Sequence, residues 1–414
     1  MASSCLVLPI ELQQRIVQIC IIDPLELRDV RSTRRALRYA TISTALYQVV
    51  TREAYRGICL GDWTEVGLEL EDAKKLARTL QANRQLSGHV RSLAISLGDE
   101  SYSEAWNETL RTILGLVEPS AIRFDTNAPI EKLLCHVQLS KTKSLFLLFE
   151  GNINQEDEVC WMNLVSGASS SLEVLTVPGC MASSRSASHY QAIVPYCPNL
   201  RGIEAASDML PFIPLSERQA LSTDLYESLI VKHAKQIVNL EFTPFQFARN
   251  KKLSQVAMLP ELAILTLHYL ITREEGESES QGFIEEPWLY STFEYEQVED
   301  LKAFPSLQEL YFDAYGHPVQ HRRLMWALTR LLANPRWLPN LSKISIADFR
   351  VLYPPGRYES EPLEQAIESH MKAFDNLALV CEDRYVELDG SRVVIMSSQY
   401  GVDAIRATQL FKSR

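Results

Sequence analysis

His317 and His321 stand four residues apart near a helix start, a spacing that puts two imidazoles on one helical face. Such a pair would hold two corners of a tetrahedral zinc site. Zinc needs further ligands, however, and the adjacent Arg322 and Arg323 oppose a cation. His233 and His268 are scattered away from the pair, so the pattern predicts surface histidines. Signatures of nucleophilic, phosphate-binding and metalloprotease chemistry are missing from the sequence: it contains no G-x-S-x-G, no G-x-x-x-x-G-K-[ST] and no H-E-x-x-H. Eight cysteines (Cys5, Cys20, Cys59, Cys135, Cys160, Cys180, Cys197 and Cys381) occur without a C-x-x-C pair. They read as small hydrophobes in a reducing compartment. The expectation is a chain that is not an enzyme and carries no cofactor or metal.

Bulk properties narrow the partners. The chain has 414 residues, 46% hydrophobic and 22% charged, with a formal net charge of -11. An acidic balance argues against nucleic acid as the main partner, since such proteins show a basic patch or stripe. The opening MASSCLVLPIEL lacks the features of a secretory signal, and no apolar run reaches the roughly 20 residues of a membrane span. A nuclear or cytosolic protein with no membrane partner is expected. Asn107-Glu108-Thr109 is then a chance glycosylation sequon.

A returning phrase dominates the rest of the chain. It reads LPELAILTL from Leu259, FPSLQELYF from Phe304 and LPNLSKISI from Leu338. Looser copies are SSLEVLTV from Ser170 and CPNLRGIEA from Cys197, joined by IVNLEF from Ile237, VRSLAI from Val90 and TKSLFLLF from Thr142. Helical stripes separate several copies: Glu71 to Asn83, Trp106 to Val117, Ile130 to Val137, Leu225 to Ile237 and Leu324 to Leu332. Strands alternating with helices predict an α/β fold with parallel strands and outer helices. In each strand the apolar positions point inward and the residues between them form a second face. That face collects Thr176, Glu204, Asn239, Glu241, Thr266, His268, Glu309, Tyr311, Asp313, Lys343 and Ser345. Four carboxylates against one lysine favour a partner with basic residues, and Lys343 is the one obvious cation there to meet a phosphate.

Two segments break the pattern. Glu274 to Asp300 holds ten acidic residues and no basic one, together with Trp288, Tyr290, Phe293 and Tyr295. It reads as a flexible loop or inserted element. After a last helix from Pro362 to Leu379, VELDGSRVVIM from Val386 reads as a closing strand pair turned at Asp389-Gly390.

The phrase resembles leucine-rich repeats; Leu172-x-x-Leu175-x-Val177-x-x-Cys180 is the closest copy. The other copies lack the Asn or Cys, and their spacing is uneven. The resemblance, over about residues 88 to 390, implies an irregular solenoid whose exposed strand face binds a protein substrate. LPIELQQRIVQIC at the N-terminus resembles the opening of an F-box, and TISTALYQVVTREAYRGICL looks like its closing helix, as in fungal F-box-like proteins. The middle is longer and more basic than usual, and a tryptophan near the motif's end is absent. The resemblance implies an F-box-like domain over 1–60, a linking helix over 61–88, the repeats over 89–390 with the acidic insert at 274–300, and a tail or cap over 391–414. It implies that Leu8, Pro9, Leu12 and Ile16 anchor a Skp-type adaptor, with Glu11 at the rim, and through it a cullin. The chain would be the non-catalytic substrate-recognition subunit of an SCF-type ubiquitin ligase. The alternative is a leucine-rich-repeat scaffold whose vestigial F-box only caps the repeats.

Overall fold

The computed structural model describes residues 48, 51–52, 54–61, 67–97, 103–126, 139–148, 155–177, 187–205, 223–242, 253–270, 298–315, 318–346, 350–351, 363–390 and 395–396. The chain divides into two compact units, Met1–Ser183 with Pro195–Asn199, and Ser184–Val194 with Leu200–Arg414. The adaptor-binding candidates Leu8, Pro9, Glu11, Leu12 and Ile16 lie outside the described residues, as do His317, the helix expected at 130–137 and nearly all of the acidic insert.

In the first unit, strands β1 (Gly57–Gly61), β2 (Ser92–Leu97), β3 (Ala121–Thr126), β4 (Ser144–Leu148) and β5 (Val174–Val177) pair in sequence order, each parallel to the next. Alternate residues supply the core: Ile58, Leu60, Leu93, Ile95, Leu97, Ile122, Phe124, Leu145 and Leu175 are all buried. Helices α1 (Leu70–Ala82), α2 (Glu104–Leu114) and α3 (Gln155–Ala168) join strands in the α/β manner. Ser103 caps α2 by accepting the Trp106 N–H at 3.3 Å, and the helix buries Trp106, Leu110, Ile113 and Leu114. Asn107 is 2% exposed on the same helix, which leaves no room for a glycan on the folded chain.

The sheet begins earlier than expected. Gly57–Leu60, read as the end of the F-box closing helix, belong to β1, which pairs with β2. Gly57 and Gly61 are poor helix residues, and Ile58 and Leu60 alternate into the core. The first strand therefore lies well ahead of Val90.

The second unit repeats the plan. Helix α4 (Ala187–Ile193), which the periodicity does not announce, precedes strand β6 (Gly202–Ala205). Helix α5 (Thr223–His233) and strand β7 (Asn239–Phe242) follow, then β8 (Ile264–Leu270), β9 (Glu309–Tyr315), α6 (Pro318–Leu332) and β10 (Lys343–Ile346). After β11 (Arg350–Val351) and α7 (Leu363–Asp383) comes β12 (Glu387–Gly390). Strands β6 to β10 pair parallel in sequence order, and β12 pairs parallel with β10. Val298–Asp300 forms a helical turn, where the Asp300 carboxylate accepts hydrogen bonds from the Ser254 N–H, at 2.9 Å, and from its hydroxyl.

One expectation fails at the end of the chain. Asp389-Gly390 is not a hairpin turn: both residues lie in β12, opposite Ser345 and Ile346. The short β13 (Ile395–Met396) pairs parallel with β11 and not with β12. Gly390 has φ +158°, close to extended backbone. Val386 is buried at the start of this segment, and the parallel ladder of β10 offers it a full set of partners. That ladder outweighs the local turn preference.

Hydrogen bonds explain the recurring phrase. The carbonyl just ahead of most strands accepts two N–H groups from the next copy. Arg56 takes Arg91 and Ser92, Arg91 takes Ser120 and Ala121, and Val238 takes Ala263 and Ile264. Ala263 takes Gln308 and Glu309, and Gln308 takes Ser342 and Lys343. The residue after the phrase's proline adds a side-chain rung: Asn199 donates to the Ser170 carbonyl at 2.8 Å, Ser306 to Pro260 at 2.6 Å and Asn340 to Pro305 at 2.9 Å. This polar ladder lies ahead of the strands, not after them where regular repeats carry Asn or Cys.

Candidate functional site

Parallel register assembles the polar face of the second unit in rows. One row runs Asn239, Ile264, Glu309, Lys343, Glu387, and the next runs Glu241, Thr266, Tyr311, Ser345, Asp389. Neighbours in a row stand about 4.8 Å apart, the spacing of paired strands. The intervening Leu240, Leu265, Leu267, Leu310, Phe312, Ile344 and Ile346 are buried, so the two faces separate cleanly. His268 and Asp313 are register partners further along β8 and β9. Glu204 lies half-buried on β6, whose Ile203 pairs with Leu240.

The β9, β10 and β12 end of this face is the most structured. Lys343 sits between strands that carry acid: its Nζ lies 3.8 Å from Glu387 Oε1 and 3.9 Å from Asp389 Oδ2. Its ammonium also lies 5.8 Å from the centre of the Tyr311 ring. The Tyr311 hydroxyl donates to the Glu309 carboxylate, and Ser345 donates to Asp389 Oδ2 at 3.3 Å. The bond to Glu309 holds the Tyr311 pKa above its ordinary value, with help from burial and from the charges of Glu309, Glu387 and Asp389. Lys343 on β10 therefore stands between Glu309 on β9 and Glu387 and Asp389 on β12. Its two acidic contacts are long, and the side chains of Glu387 and Asp389 are 69% and 60% exposed. Such carboxylates remain available to a guanidinium brought by a partner, because exposed pairs of this kind hold little net energy.

Glu387 and Asp389 escaped the sequence reading because Asp-Gly imitates a turn. The signal that marks them is the alternation after Val386, which continues the strand pattern. Thr176 does not join the face. It is 1% exposed in the first unit, where Leu175, Thr176 and Val177 are all buried and the alternation that exposes one side elsewhere is lost. His233 is also not a surface histidine. It extends the Leu225 and Leu229 stripe of α5, is 1% exposed, and its Nδ1 lies 3.3 Å from Gln236 Nε2.

Glu241 has a second connection. The buried Tyr226 hydroxyl of α5 donates to its carbonyl oxygen. Burial, then the charges of Glu241 and Glu204, raise the Tyr226 pKa far above that of a free phenol. Tyr226 is therefore a fixed neutral donor that ties helix to sheet. Among the described residues no group of three His, Cys, Asp or Glu side chains forms a metal site, and no helix is long and apolar enough to cross a membrane. Compared with known proteins, the chain matches no family model and no curated protein.

Proposed function

We propose that the chain is a non-catalytic recognition subunit of an SCF-type ubiquitin ligase, built as an F-box-like segment followed by irregular leucine-rich repeats. Its acidic strand face holds a protein substrate through basic residues. The supporting observation is the alignment of Glu309, Lys343, Glu387 and Asp389 on three adjacent parallel strands, with apolar neighbours turned inward. A rigid row of charges on a sheet suits recognition of an extended basic segment. The ligase half rests on the sequence resemblance at Leu8, Pro9, Glu11, Leu12 and Ile16. The chain performs no chemistry in this reading and raises the effective concentration of substrate near the conjugating enzyme.

Two measurements test the two halves. Full-length protein, wild type and Leu8→Asp, is tested for binding to the host's Skp-type adaptor. Loss of binding in a folded variant supports the ligase reading, and no binding by folded wild type leaves a repeat scaffold. Separately, a labelled arginine-rich peptide is titrated against wild type and against a Glu309→Gln, Glu387→Gln, Asp389→Asn variant. The expected result is affinity reduced at least tenfold in the variant and further weakened by salt. Equal affinity would remove the face from the mechanism.

A further inference from the structure

Basic residues gather at the opposite kind of site in the first unit. A cavity of about 310 Å³ is lined by Arg52, Arg56, His89, Arg91 and Ser120. Three of these come from one repeated position. Arg56, Arg91 and Ser120 immediately precede β1, β2 and β3, and the register Gly57, Ser92, Ala121 sets them side by side. Backbone rungs lock that arrangement: the Arg91 N–H donates to the Arg56 carbonyl at 2.8 Å, and the Ser120 N–H to the Arg91 carbonyl at 2.9 Å. The Ser120 hydroxyl also donates to the Arg91 carbonyl at 2.9 Å, which leaves its oxygen fixed at the cavity edge. Arg52 belongs to the helical turn before β1, and His89 to the turn before β2.

The same edge continues differently beyond the cavity. Lys143, the residue ahead of β4, pairs with Glu173 at 2.7 Å, and Lys141 pairs with Glu118. The cavity itself is lined by three guanidiniums and an imidazole. In a chain of net charge -11 this concentration runs against the global balance.

We propose that this cavity binds a phosphate monoester dianion. Guanidinium forks match the oxygens of a phosphoryl group two at a time, and several are needed for a charge between -1 and -2. The volume lies at the lower end of the range for small-ligand sites, about 300–1,000 Å³, enough for a phosphorylated side chain or a small phosphorylated metabolite. A cavity and not a stripe fits one phosphoryl group better than a nucleic-acid backbone. The site is separate from the acidic face and does not depend on the ubiquitin reading.

The test uses the full chain in isothermal titration at pH 7.5 with inorganic phosphate, O-phosphoserine, a ten-residue phosphoserine peptide, the same peptide unphosphorylated, and a single-stranded oligonucleotide. Variants are Arg91→Gln and Arg56→Gln/Arg91→Gln, with thermal unfolding to confirm that they fold. All these side chains are exposed, so folding is expected to survive. The proposal expects phosphate-bearing probes to bind, the unphosphorylated peptide not to, and affinity to drop at least tenfold in the double variant. Equal affinity for phosphoserine and its peptide identifies a small-molecule ligand, and a peptide bound tenfold more tightly identifies a phosphorylated partner. No phosphate-dependent binding, or binding unchanged in the folded double variant, overturns the proposal. So does an oligonucleotide that binds more tightly than every monoester.

Discussion

His370 is 2% exposed on α7, and burial, assisted by the charge of Arg322 on α6, lowers its pKa from 6.5 to about 4. The unfolded chain therefore binds a proton between these values and the folded chain does not. Stability contributed by the neutral imidazole is complete above pH 6.5 and declines as pH falls toward 4. By pH 5 the loss from this one residue is about 2 kcal/mol. Thermal unfolding of wild type and His370→Leu at pH 7.5 and pH 5 should show a steeper acid-side drop in wild type. Parallel curves would mean that the imidazole is already protonated in the fold or reaches water.

Arg384 makes a second residue-scale argument. Its guanidinium donates to the carbonyls of Leu332 at 3.3 Å and of Trp337 and Leu338 at 2.9 Å each. Leu338 is held at φ +49°, a region that side chains disfavour, directly before Pro339. The three charged hydrogen bonds oppose that strain. Arg384→Met should cost about 2–3 kcal/mol, and Arg384→Lys should recover only part of it because one ammonium cannot span all three carbonyls. Urea denaturation of the three proteins checks the order.

At the scale of elements, the first strand depends on Gly61. Its φ is +92°, and a Cβ there would lie 1.8 Å from the Ser96 carbonyl oxygen of β2. The Gly61 N–H donates to Leu68 at 3.0 Å, so the bend also fixes the entry to α1. Gly61→Ala should destabilise the first unit by about 3 kcal/mol or more, since neither the backbone angle nor the neighbouring carbonyl can give way. A shift of the unfolding midpoint below 1 °C would show that β1 is detached from the sheet.

Elements were legible where their pattern is regular. The helix read from Glu71 to Asn83 runs Leu70–Ala82, and the one read from Pro362 runs Leu363–Asp383, one turn past Leu379. The in-and-out alternation at Leu265, Leu310 and Ile344 could be read because one face is buried and the period is two. The Arg56, Arg91, Ser120 set could not be read that way. Those residues lie ahead of the strands, outside the alternation, and only register brings them together. Asn199, Ser306 and Asn340 were hidden for the same reason: their partners are carbonyls of the preceding copy, which no side-chain pattern announces. Glu387 and Asp389 were lost to a turn signal that tertiary pairing overrode.

Across the whole molecule, pairing between neighbours in sequence governs each unit. No described strand in either ladder reaches past the copy before or after it, apart from β12, which passes β11 to join β10. Stability in such arrays is carried by each repeat and its adjacent interfaces. Leu310→Ala, at a fully buried site on β9, should cost about 2–5 kcal/mol. Hydrogen exchange should rise first at the amides of β8, β9 and β10, with β1 to β4 nearly unchanged. A uniform rise over both units would show a single cooperative structure in place of local coupling.

The ladder of carbonyls ahead of the strands has a consequence for how such a chain changes over time. Most of its rungs are made by main chain, and the core is held by the inward leucines. Glu309, Lys343, Glu387 and their neighbours in the rows belong to neither. Substitutions there rewrite the charge pattern of the exposed face while leaving the frame intact. The fold is thus a writable surface on a fixed spine, on which a new charge pattern can arise one strand at a time.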